Sequence, residues 1–320
     1  MENLVFLYKS LLDRTISMKH HFLSASLLIS AVILNSCGNG STTSTGAVTT
    51  LVDTNATLVD TNATLIVGNA FDPGVPSPSE IFAFMKASGA SNANAENLNS
   101  PDNEKKYDSK KAQSLNLGIY SSDLLYCATF NISNKVVSYF GTCMRMGDKL
   151  KVATNLSDKD KDRISKNAGN GDSLVAISND LYLSTFENLE SNQRGADLTL
   201  MLAGGWIESV YLMSNMVKDF EKDKNTAERI VDQKLALENL IEFSAKHAEN
   251  ADVKGVSSQL SELLAIMNEV QSTENVAVKA PQNTGKIIIG GGAKSTLSKE
   301  QFEKIKTKVI SIRSSFTNAQ

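Results

Sequence analysis

The chain has 320 residues and a net charge of -3, with 41% hydrophobic and 21% charged residues. This is a globular balance with room for one large domain or two small ones, and it carries no basic stripe of the kind that marks a nucleic-acid surface. Only 5 Pro are present and aromatics make up 6%, which favours helices over sheets.

The first informative segment ends at Cys37. Phe22 to Leu34 is thirteen residues without a charge, long enough for the apolar core of a signal peptide and too short to span a bilayer as a helix. "MKHH" precedes it, with Lys19 supplying positive charge. Met18 is therefore read as the biological start and residues 1–17 as a non-native N-terminal extension. A long basic lead is the alternative, made less attractive by Glu2 and Asp13. Leu34-Asn35-Ser36-Cys37 resembles a bacterial lipobox, in which a Leu three positions before the Cys and a small residue just before it are typical.

The resemblance to bacterial lipoproteins implies that residues 18–36 are a signal peptide, cleaved before Cys37. It also implies that Cys37 is the lipidation site, carrying a diacylglycerol. Two or more acyl chains anchor stably where one is marginal. The partner implied is membrane lipid, reached through acylated Cys37. Cleavage removes three basic and two acidic residues and takes the net charge to -4. Gly38 stands where an Asp would signal inner-membrane retention, and Asn39-Gly40-Ser41 lack the acidic cluster of surface export. The expected location is the outer membrane, on its periplasmic face rather than the cell surface.

Residues 37–76 read as a flexible low-complexity linker. "STTSTGAVTT" is followed by "LVDTNAT" at 51–57, duplicated at 58–64. Thr, Asn and Asp dominate the repeat, so it fails as a coiled-coil seam. As a coil, such a tether spans roughly 35 Å root-mean-square.

Residues 77–320 carry the helix signals. "SPSE" at 77–80 predicts a capping box with Ser77 at the N-cap, Pro78 at N1 and Glu80 at N3. "NTAE" predicts another at Asn225 and Glu228, and "SKEQ" a third at Ser298 and Gln301. Three apolar stripes follow helical spacing: Leu174, Val175, Ile177, Leu181 and Phe186; Leu260, Leu263, Leu264, Met267 and Val270; and Phe302, Ile305, Val309 and Ile312. Residues 90–113 are polar and read as a mobile loop, as do 272–297, and no region alternates like strands. The expected fold is all-α, an antiparallel bundle or orthogonal array of seven to nine helices behind a disordered N-terminal tether.

Several motifs fail on inspection. "IIIGGGAKST" at 287–296 looks like a strand entering a phosphate loop, but Ala293 precedes Lys294 and Ile288 stands where the first Gly is required. No nucleotide partner is expected. "SDKDKDRISK" at 157–166 reads as a solvated helix start, since it lacks the Gly and Glu of a calcium loop. His247 is the one His beyond Cys37, too few for a His-based metal site or a charge-relay triad. No cofactor, metal, nucleic acid or enzymatic activity is expected. Cys127 and Cys143 fall on facing helices out of register, which favours buried free thiols over a disulfide.

One cluster stands out. "GIYSSDLLY" at 118–126 places Tyr120, Asp123 and Tyr126 on one helix face. "LAGGWIESVY" at 202–211 sets Glu208 between Trp206 and Tyr211, with Gly204-Gly205 calling for a close helix approach. "NLGIYSSDLLY" (116–126) and "GGWIESVY" (204–211) together resemble uncharacterised all-helical lipoproteins of Bacteroidota, over roughly residues 115–245. That resemblance brings no activity with it.

Two main readings of the cluster stand, beside acid/base catalysis by Asp123 and Glu208. In one it is a buried network in which Tyr hydroxyls and the Trp indole donate to both carboxylates. In the other it lines a pocket for a small cationic or hydroxylated ligand. The first suits a non-enzymatic adaptor or scaffold for another envelope protein, the second a ligand-binding helical module.

Overall fold

A computed structural model describes residues 65–67, 74–152, 158–167, 170–270, 287–289 and 296–318. Cys37, the signal segment, the heptad duplication, most of the expected loop at 272–297 and the three consecutive Gly at 290–292 lie outside the described residues.

Ten α-helices are present among the described residues: α1 (Pro78–Ala87), α2 (Lys110–Thr129), α3 (Ser133–Lys149), α4 (Asp158–Lys166), α5 (Gly171–Ser191), α6 (Gly195–Met216), α7 (Lys224–Val231), α8 (Lys234–Ala245), α9 (Ala251–Asn268) and α10 (Lys299–Thr317). The fold is all-α, with ten described helices where seven to nine were expected; residues 224–245 form two short ones separated at Asp232 and Gln233. β1 (Leu65–Val67) and β2 (Ile287–Ile289) pair antiparallel, with Leu65 opposite Ile289. These short strands were not expected, and β1 falls within the stretch read as linker.

The core is built on α2 and α6. Residues 114–129 and 197–210 are buried without a break, so both helices are enclosed on every side. Their polar residues are accommodated locally. Ser121 donates to the Leu117 carbonyl at 2.7 Å, Ser209 to that of Gly205 at 2.8 Å and Thr199 to that of Gly195 at 2.7 Å. Between the helices, Ser122 and Ser209 share a hydrogen bond of 2.9 Å. Ser114 bonds Asp197 at one end and Ser122 meets Ser209 further along, so the two helices run parallel.

Their separation is set by glycine. A Cβ on Gly118 would overlap the Met201 carbonyl oxygen, and one on Gly204 would overlap that of Leu115. Gly204 is thus where the close approach was expected, and Gly118 answers it from the opposite helix.

The surrounding helices pack as hairpins. Asn131 adopts φ 58 after α2, and the Ile132 N–H reaches back to the Cys127 carbonyl at 2.8 Å, which turns the chain into α3. α9 and α10 form a second antiparallel pair, tied by Lys308 with Glu262 and by Gln301 with the Glu269 carbonyl. The stripe Phe302, Ile305, Val309 and Ile312 is buried as expected, and Phe316 extends it.

Capping boxes form at Ser77 with Glu80 and at Ser298 with Gln301. Asn225 is not a cap. α7 already begins at Lys224, and the Asn225 side chain donates to the Ser88 carbonyl at 2.8 Å. Cys127 and Cys143 are free and buried.

The polar segment between α1 and α2 is not a loose loop. It contains a 3-10 helix (Pro101–Lys106), and Asn99 and Tyr107 are buried. Packing also starts slightly before residue 77, since Val75 is buried and the Gly74 carbonyl accepts from Asn239.

Candidate functional site: a buried carboxyl pair under the C-terminal helix

Asp123 comes from the middle of α2 and Glu208 from the middle of α6; both are fully buried. The two carboxyl groups lie within hydrogen-bonding reach of each other. Neither is met by a Tyr hydroxyl or by the Trp206 indole, contrary to the expected network. Their partners come from elsewhere in the chain.

Arg313, from α10, forms a two-point pair with Glu208. Its Nε lies 2.7 Å from Oε2 and its Nη2 3.0 Å from Oε1. The guanidinium also stacks over the Tyr211 ring, 4.2 Å from the centroid, and donates to the Asn97 carbonyl. Planar two-point recognition combined with stacking is specific to Arg; a Lys cannot supply it.

Asp123 Oδ2 accepts the backbone N–H of Asn99 at 3.2 Å. Oδ1 has no donor. Asn99 is the hub of the segment that covers the pair. Its Nδ2 donates to Tyr107 and Asn116, its Oδ1 accepts from Asn103 at 2.8 Å, and its carbonyl accepts from Tyr139 at 3.1 Å. Asn116 in turn donates to the Phe316 carbonyl at 3.0 Å, which ties the end of α10 to α2.

The other cluster residues occupy distinct roles. The Tyr120 hydroxyl donates to the Ser100 carbonyl at 2.9 Å. Tyr126 accepts from the Asn94 N–H, and its ring packs edge-on to Phe82 at 5.3 Å. Trp206 is buried with its Nε1 unpartnered, and two residues along a helix put it on a different side of α6 from Glu208. The structure therefore brings together Asp123, Glu208 and Tyr211, with Tyr120 under the same covering segment and Trp206 apart.

Burial sets the electrostatics. Asp123 is pushed well above the ordinary carboxylate range, first by desolvation and then by the Glu208 charge. Desolvation also raises Glu208, against the pull of Arg313. Both Glu208 oxygens accept from the guanidinium, which opposes that rise, whereas Asp123 has no such partner. Burial lifts the Tyr126 phenol and the Cys143 thiol to about 12, and holds Tyr120, Tyr139 and Cys127 higher still. All of these are neutral at neutral pH.

Sequence reasoning missed Arg313, Asn99 and Tyr107. A signal for Arg313 was present: it lies four residues after Val309 and three before Phe316, on the buried side of its helix. A buried Glu needs a cation, and this was the cation on an apolar stripe. Asn99 had no signal, since its role depends on how an irregular segment folds back.

A pocket of about 430 Å³ opens where α9 ends and α10 begins, lined by Glu269, Thr296, Ser298, Glu300, Gln301 and Lys304. None of the carboxyl cluster lines it. No group of metal-ligating side chains occurs among the described residues. Nor is any helix among them long and apolar enough to cross a membrane. No protein-family model, curated protein or solved structure matches the chain.

Proposed function

We propose that this chain is an envelope lipoprotein, anchored through acylated Cys37 to the periplasmic face of the outer membrane, whose helical domain is a non-enzymatic adaptor or scaffold for another envelope protein. One observation carries the reading: Lys19, the uncharged run 22–34 and Leu34-Asn35-Ser36-Cys37 occur in the order a lipoprotein signal requires. The scaffold role is supported by the state of the polar cluster. Glu208 is fully buried and spends both oxygens on Arg313, so a ligand would have to displace an internal ion pair to reach it. A ligand-binding module needs convergent polar groups with free valences facing a cavity.

Labelled palmitate tests the anchor in cells that make the full-length protein. The wild type is expected to take up label and mature to a shorter chain, and Cys37→Ala to accumulate unlabelled precursor. A Cys37→Ala protein that is labelled and processed like the wild type removes the reading.

A further inference from the structure

Three facts about the pair need a common explanation. Two carboxyl groups share one enclosed site. Only one guanidinium faces them. Asp123 Oδ1 has no donor, although every other oxygen of the pair has one. A buried carboxylate oxygen left without a donor is costly, and two adjacent carboxylates opposite one cation leave an uncompensated buried charge. Both difficulties vanish if Oδ1 is itself the donor.

We infer that Asp123 holds a proton in the folded protein and donates it to Glu208, so that the two carboxyl groups carry one negative charge, which Arg313 neutralises. The site is thus a built-in proton-binding site, covered by Arg313 from α10.

The titratable groups facing Asp123 are Glu208 and Tyr211 from α6, Arg313 from α10, Tyr139 and Cys143 from α3, and Tyr120, Tyr126 and Cys127 from its own helix. Tyr107, from the covering segment, faces Glu208. The phenols and thiols stay neutral, so Glu208 and Arg313 are the charges that matter. The Glu208 charge holds the proton on Asp123; Arg313 pulls against it there, but by pairing with both Glu208 oxygens it keeps the negative charge on Glu208.

The sign of the pH effect follows. In the unfolded chain Asp123 ionises near the usual value of about 3.9. In the folded chain it stays protonated well above that. Between the two values the folded state binds one more proton, so unfolding releases it and stability falls as pH rises. The contribution is greatest below the unfolded value and is lost as pH climbs to the folded one. Each pH unit in this window multiplies the unfolding equilibrium constant by about ten.

Asp123→Asn separates this proton from the rest, because an amide donates to Glu208 without needing one. Burial also raises Glu80 and Asp232, and their effects cancel in the difference between variant and wild type. Thermal unfolding from pH 4 to 8 is expected to show Asp123→Asn gaining on the wild type with each pH unit and melting above it at pH 7. Glu208→Gln is expected to melt below the wild type at pH 7. Wild-type protein alone gives a second readout: a protonated-carboxyl stretch in the infrared spectrum at pH 7, and one proton released per chain on unfolding from this site. If the spectrum lacks that stretch, or the Asp123→Asn difference does not move with pH, the shared proton is overturned. A stretch that survives Asp123→Asn and disappears in Glu208→Gln also overturns it, since the proton then sits on the other residue.

Discussion

Arg313 and Glu208 make a buried pair whose value lies in its completeness. Removing one partner leaves the other charge enclosed, a loss of about 3–5 kcal/mol. Arg313→Met should therefore destabilise the domain by that amount in denaturant titration. Glu208→Gln in the same chain should restore much of it, because the new amide oxygen still accepts from Asp123 and no bare charge is left. Equal and additive losses would mean that the two side chains do not act as a pair. Asn99 is a second sensitive point. Its side chain bonds Tyr107, Asn116 and Asn103 in a buried setting, so Asn99→Ala should cost about 2–3 kcal/mol. Cys127 and Cys143 should resist thiol reagents in the native protein and react after unfolding, since burial holds both thiols up and out of reach. At this scale the sequence exposed half of the site. Asp123 and Glu208 stood out as carboxyl groups on apolar helix faces. Their true partners were hidden, because one lies 105 residues from Glu208 and the other is a backbone N–H in an irregular segment.

Helix starts were legible where a side chain both caps and has no better use. Ser77 and Ser298 meet that condition. Asn225 fails it, because tertiary contact with Ser88 claims its amide. Helix ends were harder to read. The chain turns at Asn131, Lys151 and Gln193 with positive φ, and none of these is the Gly that would announce it. Gly89, with φ 89, does end α1, but the glycines that set the spacing of the core sit inside helices. Gly118→Ala and Gly204→Ala should each cost more than about 3 kcal/mol, since the new methyl meets backbone that cannot yield without separating α2 from α6. Gly255, within α9, has open space around it, and Gly255→Ala should gain about 1 kcal/mol. Thermal melts of the three variants test the contrast directly. A tolerated Gly204→Ala would mean that the central helices are not held at glycine contact.

The all-α architecture was readable because helical stripes such as that of α10 persist over several turns. α2 and α6 were less readable, since helices buried on all sides lose amphipathic contrast. Tertiary order also escaped the pattern. α10 closes the carboxyl pair from the far end of the chain, which helical periodicity does not encode. The small ribbon of β1 and β2 likewise joins segments more than two hundred residues apart. On the proposed account, this body hangs from a lipid and works through a protein partner. Native mass spectrometry of the full-length protein, extracted gently from the envelope of its own cells, tests that account most directly. The predicted result is a chain beginning at Cys37 that carries covalent acyl mass, together with a bound protein. A chain with unmodified Cys37 and its leader still attached would contradict the anchor, and a bound small molecule in place of a protein would contradict the scaffold.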